Sequence, residues 1–105
     1  NIMNLPLAPG DGSRQFRKAW STLGLQAVHS FEPDLILVSA GFDAHQRDPL
    51  GQIELQDADY HWITRQICEL ATDSCHGRVA SILEGGYDLQ ALATASRAHV
   101  QALDS

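Results

Sequence analysis

Cationic side chains are scarce in this chain: seven Lys and Arg stand against thirteen Asp and Glu, a net charge of −6 over 105 residues. The seven are scattered, so no basic stripe is available to neutralise a phosphate backbone, and nucleic acid is excluded as a direct partner. Long apolar runs are missing too. No stretch approaches the ~20 residues that span a bilayer, and the first residues lack the charged-then-apolar order of a secretory signal. Together these absences predict a soluble, cytoplasmic protein with no membrane partner.

There are only two cysteines, Cys68 and Cys75, within a predicted helix. Seven residues of helix separate them by ~10 Å, too far for a disulfide, and without a C-x-x-C pair they read as reduced structural thiols. No G-x-S-x-G is present and neither cysteine has a histidine partner, which excludes a serine or thiol nucleophile. Gly85-Gly86 lacks the wider glycine pattern of nucleotide loops, leaving a small nucleotide-binding domain as a weak rival. Internal repeats and low-complexity tracts are absent, so solenoids and tails are set aside. What remains is 44% hydrophobic and 19% charged, the composition of one globular domain.

The order along the chain is helix, strand, helix, strand, helix. Residues 1–12 are rich in turn formers, and Asp11 or Ser13 is expected to cap a helix over about 13–31 with Phe16, Trp20, Leu23 and Ala27 on its apolar stripe. Pro33 ends it. Leu35-Ile36-Leu37-Val38 is apolar on both faces, as in a parallel strand covered on both sides. A loop from Gly41 to Leu55 holds the turn Asp48-Pro49-Leu50-Gly51. A second helix is expected from Gln56 or Asp57 to Cys75, buried through Tyr60, Ile63, Ile67, Leu70 and Ala71, with Gly77 as its stop. Val79–Leu83 forms the second strand, and a third helix over 89–103 is expected to bury Leu89, Leu92, Ser96, Val100 and Leu103. Two strands joined through a helix run parallel, and ligands of such sheets collect beyond the carboxyl ends. Two strands alone make a poor sheet, so the chain reads as part of a larger α/β domain.

Chemistry is therefore sought at the two strand ends. Asp43 follows Gly41 just after the first strand, where a carboxylate can act as metal ligand, base or turn former. His45 stands two residues on and could share a metal with it, or serve the loop structure. After the second strand, Glu84 reads mainly as structural support. Tyr87 follows two glycines and carries a hydroxyl that, protonated at neutral pH, can donate to a developing oxyanion or pack under the sheet edge. His29, His61, His76 and His99 have no paired spacing and read as surface or packing residues.

Asp34-Leu35-Ile36-Leu37-Val38-Ser39-Ala40-Gly41-Phe42-Asp43-Ala44-His45, then Asp48-Pro49-Leu50-Gly51, then Leu83-Glu84-Gly85-Gly86-Tyr87 together resemble the histone deacetylase and acetylpolyamine amidohydrolase superfamily, on its class II-like and bacterial side. Asn4-Leu5-Pro6-Leu7 and Gly10-Asp11-Gly12 extend the resemblance over nearly the whole chain. It implies an α/β fold with the parallel sheet of an arginase-like three-layer α/β/α domain, and a zinc-dependent hydrolase that removes acetyl or related acyl groups from acyl-lysine or acylpolyamine substrates. It further implies Zn2+ ligation by Asp43, a hydrogen bond from Tyr87 to the substrate carbonyl and then the oxyanion, and a substrate channel lined by Gly85 and Gly86.

The same resemblance implies an upstream Asp-x-His zinc segment and a pair of adjacent histidines, and neither is here. Asp59-Tyr60-His61 spells Asp-x-His but follows Asp43 and opens a predicted helix, so it reads as coincidence. Residues 1–105 thus look like the C-terminal portion of one catalytic domain. Catalytic zinc takes three protein ligands, so the isolated chain is expected to be inactive and to bind zinc weakly. Its uncovered strand edges suggest self-association. The rival from another class is an interaction module that keeps the scaffold without catalysis.

Overall fold

A computed structural model describes all residues, Asn1–Ser105. Helix α1 (Ser13–Ala19) continues through a π-helical turn, Trp20–Gly24, into α2 (Leu25–Phe31). Strand β1 (Ile36–Ala40), α3 (Asp57–Cys75), β2 (Val79–Leu83) and α4 (Leu89–Leu103) complete the order. The strands pair in parallel, Ile36 against Val79 through Ala40 against Leu83. The α/β class and the sequence of elements are as expected, with β1 beginning and ending later than its most apolar residues. No helix is long and apolar enough to cross a membrane.

The first helical run starts on a different cap from either residue anticipated. Gly12 is the N-cap, and the Gln15 side chain reaches back to accept its amide at 3.0 Å. Asp11 instead accepts the Ala8 amide, and Ser13 donates to the Asp59 carboxylate on α3. At the π turn Gly24 lies against the Trp20 ring so closely that a β-carbon would stand 2.5 Å from it. Glycine there costs ~1 kcal/mol of helix propensity but permits that contact. Leu23, expected on the buried stripe, is exposed because the wider turn rotates it outward. Glu32 then turns left-handed before Pro33 and ends the run.

Asp59 fastens α1 to α3. Fully buried, it accepts from Ser13, from the Gln56 amide at 2.9 Å and from Arg17 Nε at 2.8 Å. Burial pushes its carboxyl up, but the Ser13 and Gln56 hydrogen bonds and the Arg17 guanidinium outweigh that and leave its pKa below the usual carboxylate value. Arg17 also lies over the Trp62 ring at 5.1 Å.

One face of the sheet meets α3 and α4 through a core of Ala40, Phe42, Leu55, Tyr60 and Ala95, with Val38 and Leu92 packed against it. His99, on α4, ties α3 to β2. Thr64 Oγ1 donates to the Tyr60 carbonyl at 2.6 Å, so it accepts from His99 Nδ1 at 2.7 Å, and His99 Nε2 accepts from the Ser81 hydroxyl at 2.7 Å. Burial lowers the pKa of the ring and so favours the neutral form that this arrangement uses; His99 is a packing residue.

Two further expectations are corrected. The sheet is covered on one face only: Leu37 is 66% and Ile82 62% exposed on the other, because no element of these 105 residues lies there. Helix α4 also buries a different stripe, Ala91, Ala95, His99 and Ala102, while Leu89 (82% exposed) and Val100 (58%) face outward. Small side chains let α4 lie close to α3, where Ala71 is likewise fully buried.

Candidate active site

The parallel ladder does not stop at the strand ends. The Glu84 amide donates to the Ala40 carbonyl at 2.9 Å and the Phe42 amide to the Gly85 carbonyl at 2.8 Å, lashing the two motif loops together beyond β1 and β2. Asp43 and the Gly85-Gly86-Tyr87 block thus become neighbours, as strand-end placement predicts.

The glycines have separate jobs. A β-carbon at Gly85 would stand 2.9 Å from Asp43 Oδ2, and one at Gly41 3.0 Å from Oδ1, so a side chain at either position would push that carboxylate from its present place. Gly86 has φ +139°, and a β-carbon there would crowd Leu92 and Phe42 at 3.0 and 3.1 Å. It is the residue that turns the chain into Tyr87.

Asp43 is exposed. Unlike Asp48 and Asp59, whose oxygens are engaged by internal donors, its carboxylate carries none and is open to an outside ligand. Beneath it Tyr60 buries a hydroxyl with no hydrogen-bond partner. Burial, then the Asp43 charge, raises the pKa of that phenol; the Ala44 backbone pulls the other way without good hydrogen-bond geometry.

His45 does not join Asp43. It is buried, its Nδ1 accepts the Arg47 amide at 3.1 Å, and its Nε2 lies 3.0 Å from Asp57 Oδ1. A backbone amide can only donate, so the proton sits on Nε2 and points at Asp57, leaving no free lone pair for a metal. The loop-support role is the one the structure favours. Asp59 is saturated and His61 exposed, so the Asp-x-His spelling in α3 has no ligand geometry. Glu84 touches its surroundings through its backbone; its side chain is exposed.

No group of three or more His, Cys, Asp and Glu could hold a metal ion. For zinc, the carboxylate of Asp43 is a single candidate ligand and not a complete site. Tyr87 is 55% exposed at the mouth of the same strand ends. A cleft of about 490 Å³ lies elsewhere, between residues 1–5 and the Trp20–Phe31 helix face, and neither Asp43 nor Tyr87 lines it.

The residue not singled out from sequence is Asp48. Its buried carboxylate accepts from Leu50 N at 2.8 Å, Gly51 N at 3.0 Å and, across the site, Tyr87 N at 2.9 Å. Burial pushes its pKa up, but the backbone donors of Tyr87, Leu50 and Gly51, followed by nearby His45, bring it below the usual value. The signal that would have found it is an Asp opening a Pro-Leu-Gly turn, since such a side chain caps the amides that follow. Arg47 reinforces the link, donating to Gln90 Oε1 at 2.6 Å and facing Asp88 Oδ2 at 3.6 Å.

The histone deacetylase domain family matches residues 1–103. Type-2 histone deacetylase 1 of Dictyostelium discoideum is 43% identical over 103 residues, covering 98% of this chain and 7% of that protein. The histone deacetylase-like amidohydrolase of Pseudomonas aeruginosa is 35% identical over 85 residues, 81% of this chain and 22% of that one. The crystal structure of the HDA15 HD domain superposes with a TM-score of 0.84 at 34% identity, covering 95% of this chain and 28% of that one. The chain thus spans less than a third of each of these relatives, and its sheet and helices are a portion of their arginase-like α/β fold. On this agreement of profile, sequence and backbone, the chain belongs to the histone deacetylase family.

Proposed function

We propose that these residues are the C-terminal part of a zinc-dependent amidohydrolase that removes acetyl or a related acyl group from acyl-lysine or acylpolyamine substrates. The observation that carries this is the Asp43 carboxylate, free of internal donors, seated on Gly85 two residues before Tyr87. Asp43 would hold zinc with ligands outside these residues; when bound, the metal supplies polarisation of the amide carbonyl and activation of water. Tyr87 donates from its hydroxyl to the carbonyl oxygen, a bond that strengthens as negative charge grows there in the transition state. Gly85 and Gly86 would line the acyl channel beside it with their backbone. One carboxylate is too few for tight zinc binding, so the 105-residue chain alone is inactive.

The test is hydrolysis of acetyl-lysine peptides and acetylpolyamines by the complete domain with zinc. Tyr87→Phe is expected to lower kcat ~10²- to 10³-fold with KM nearly unchanged, and Asp43→Asn to release zinc. Undiminished turnover in Tyr87→Phe would overturn the role of Tyr87. A complete domain without hydrolase activity would favour the interaction module, and turnover by the isolated chain would disprove its inactivity.

A further inference from the structure

Resting on the proposed hydrolase reading, we infer that Asp48 is a positioning residue for Tyr87, holding the phenol in its working orientation through the residue 87 amide. The Tyr87 side chain is more than half exposed, so packing alone does not fix its direction. It follows Gly86, whose φ of +139° belongs to a backbone with wide freedom. What removes that freedom is the hydrogen bond from Tyr87 N to Asp48 Oδ2 at 2.9 Å, made by a carboxylate that is itself buried.

The other end of that carboxylate is equally constrained. Asp48 Oδ1 takes the Leu50 and Gly51 amides. Gly51 in turn presses on the backbone of Asp43, where a β-carbon at position 51 would collide with the Asp43 carbonyl oxygen. One side chain therefore holds Tyr87 on one oxygen and is itself pinned, on the other, by the turn that follows it. Three amide donors on two oxygens favour the ionised carboxylate, which accepts on both. An asparagine has one acceptor oxygen and would turn an NH2 group toward at least one of those amides.

Kinetics in the complete domain test this. Asp48→Asn is expected to lower kcat at least 10-fold while KM stays within about twofold and zinc content is unchanged, the pattern of a lost transition-state interaction. The decisive comparison is the double variant. If Asp48 acts through Tyr87, Asp48→Asn changes kcat less than about twofold in the Tyr87→Phe background. An equal loss in both backgrounds, or a loss that follows zinc content, overturns the inference while leaving the hydrolase reading intact. If Tyr87→Phe itself leaves kcat unchanged, the role of Tyr87 and this inference fall together. Should Asp48→Asn fail to fold, replacing the residue 87 amide by an ester removes the donor and keeps the carboxylate; a kcat equal to that of the unmodified enzyme would then count against Asp48.

Discussion

Gly85 is the floor on which the Asp43 carboxylate rests: a β-carbon at position 85 would stand 2.9 Å from Oδ2 and 3.0 Å from Cγ. Its φ is outside the left-handed region, so alanine is tolerated by the backbone and the clash falls on Asp43 alone. Gly85→Ala in the complete domain is expected to weaken zinc binding about 10- to 100-fold, as loss of a supporting contact does. Gly86→Ala, where φ is +139°, should instead lower Tm. Zinc titration and thermal unfolding of the two variants separate these effects; identical behaviour would show that the glycines are not specialised.

Asp59 ties the first helix to α3, and Asp59→Ala strands Arg17 and the Gln56 amide. A loss of ~2–4 kcal/mol in chemical denaturation is expected. Because its folded pKa is depressed, the stability it contributes is present above its unfolded value near ~3.9 and is lost as pH falls through the folded one. The gap between wild type and Asp59→Ala should therefore close at acid pH. A gap independent of pH would refute the charged network.

His99 is bound as the neutral Nδ1–H tautomer between Thr64 and Ser81. Burial depresses its pKa, so its contribution is complete above the unfolded value near ~6.5 and declines as pH falls toward the folded one. Nitrogen-15 shifts should show Nδ1 protonated and Nε2 bare at neutral pH. Protonation of His99 at or above the pH of a free histidine would contradict the hydrogen-bond assignment.

The open sheet face, with Leu37 and Ile82 both mostly exposed, is expected to drive self-association of the isolated chain. Light scattering at rising concentration checks it, and Leu37→Glu with Ile82→Glu should restore monomers. A strictly monomeric wild-type chain at high concentration would rule it out.

Much of the fold was legible because its signals are local. Pro33, Gly77 and the two apolar runs punctuate the chain, and α3 and α4 occupy the residues their periodicity marks out. The face of α4 was not legible, since Leu89 and Val100 outrank Ala91, Ala95 and Ala102 in hydrophobicity, whereas close contact with α3 selects for small size. At the site, strand-end placement pointed to Asp43 and Tyr87. Asp48 escaped because its third partner is 39 residues away in sequence, a contact that only the parallel pairing creates. The saturation of His45 was hidden for the same reason, its partner Asp57 being brought in by the start of α3.

The π-helical turn at Trp20–Gly24 works as a phase shifter. It spends an extra residue in one turn, so every side chain from Leu25 onward lies about 100° from where an unbroken α-helix would carry it. Removing a single residue there would leave both helices intact yet aim Ala27 and Val28 away from the cleft they now line. The spacing between α1 and α2 is thus a dial for the far half of the helix, set by a single residue of chain length.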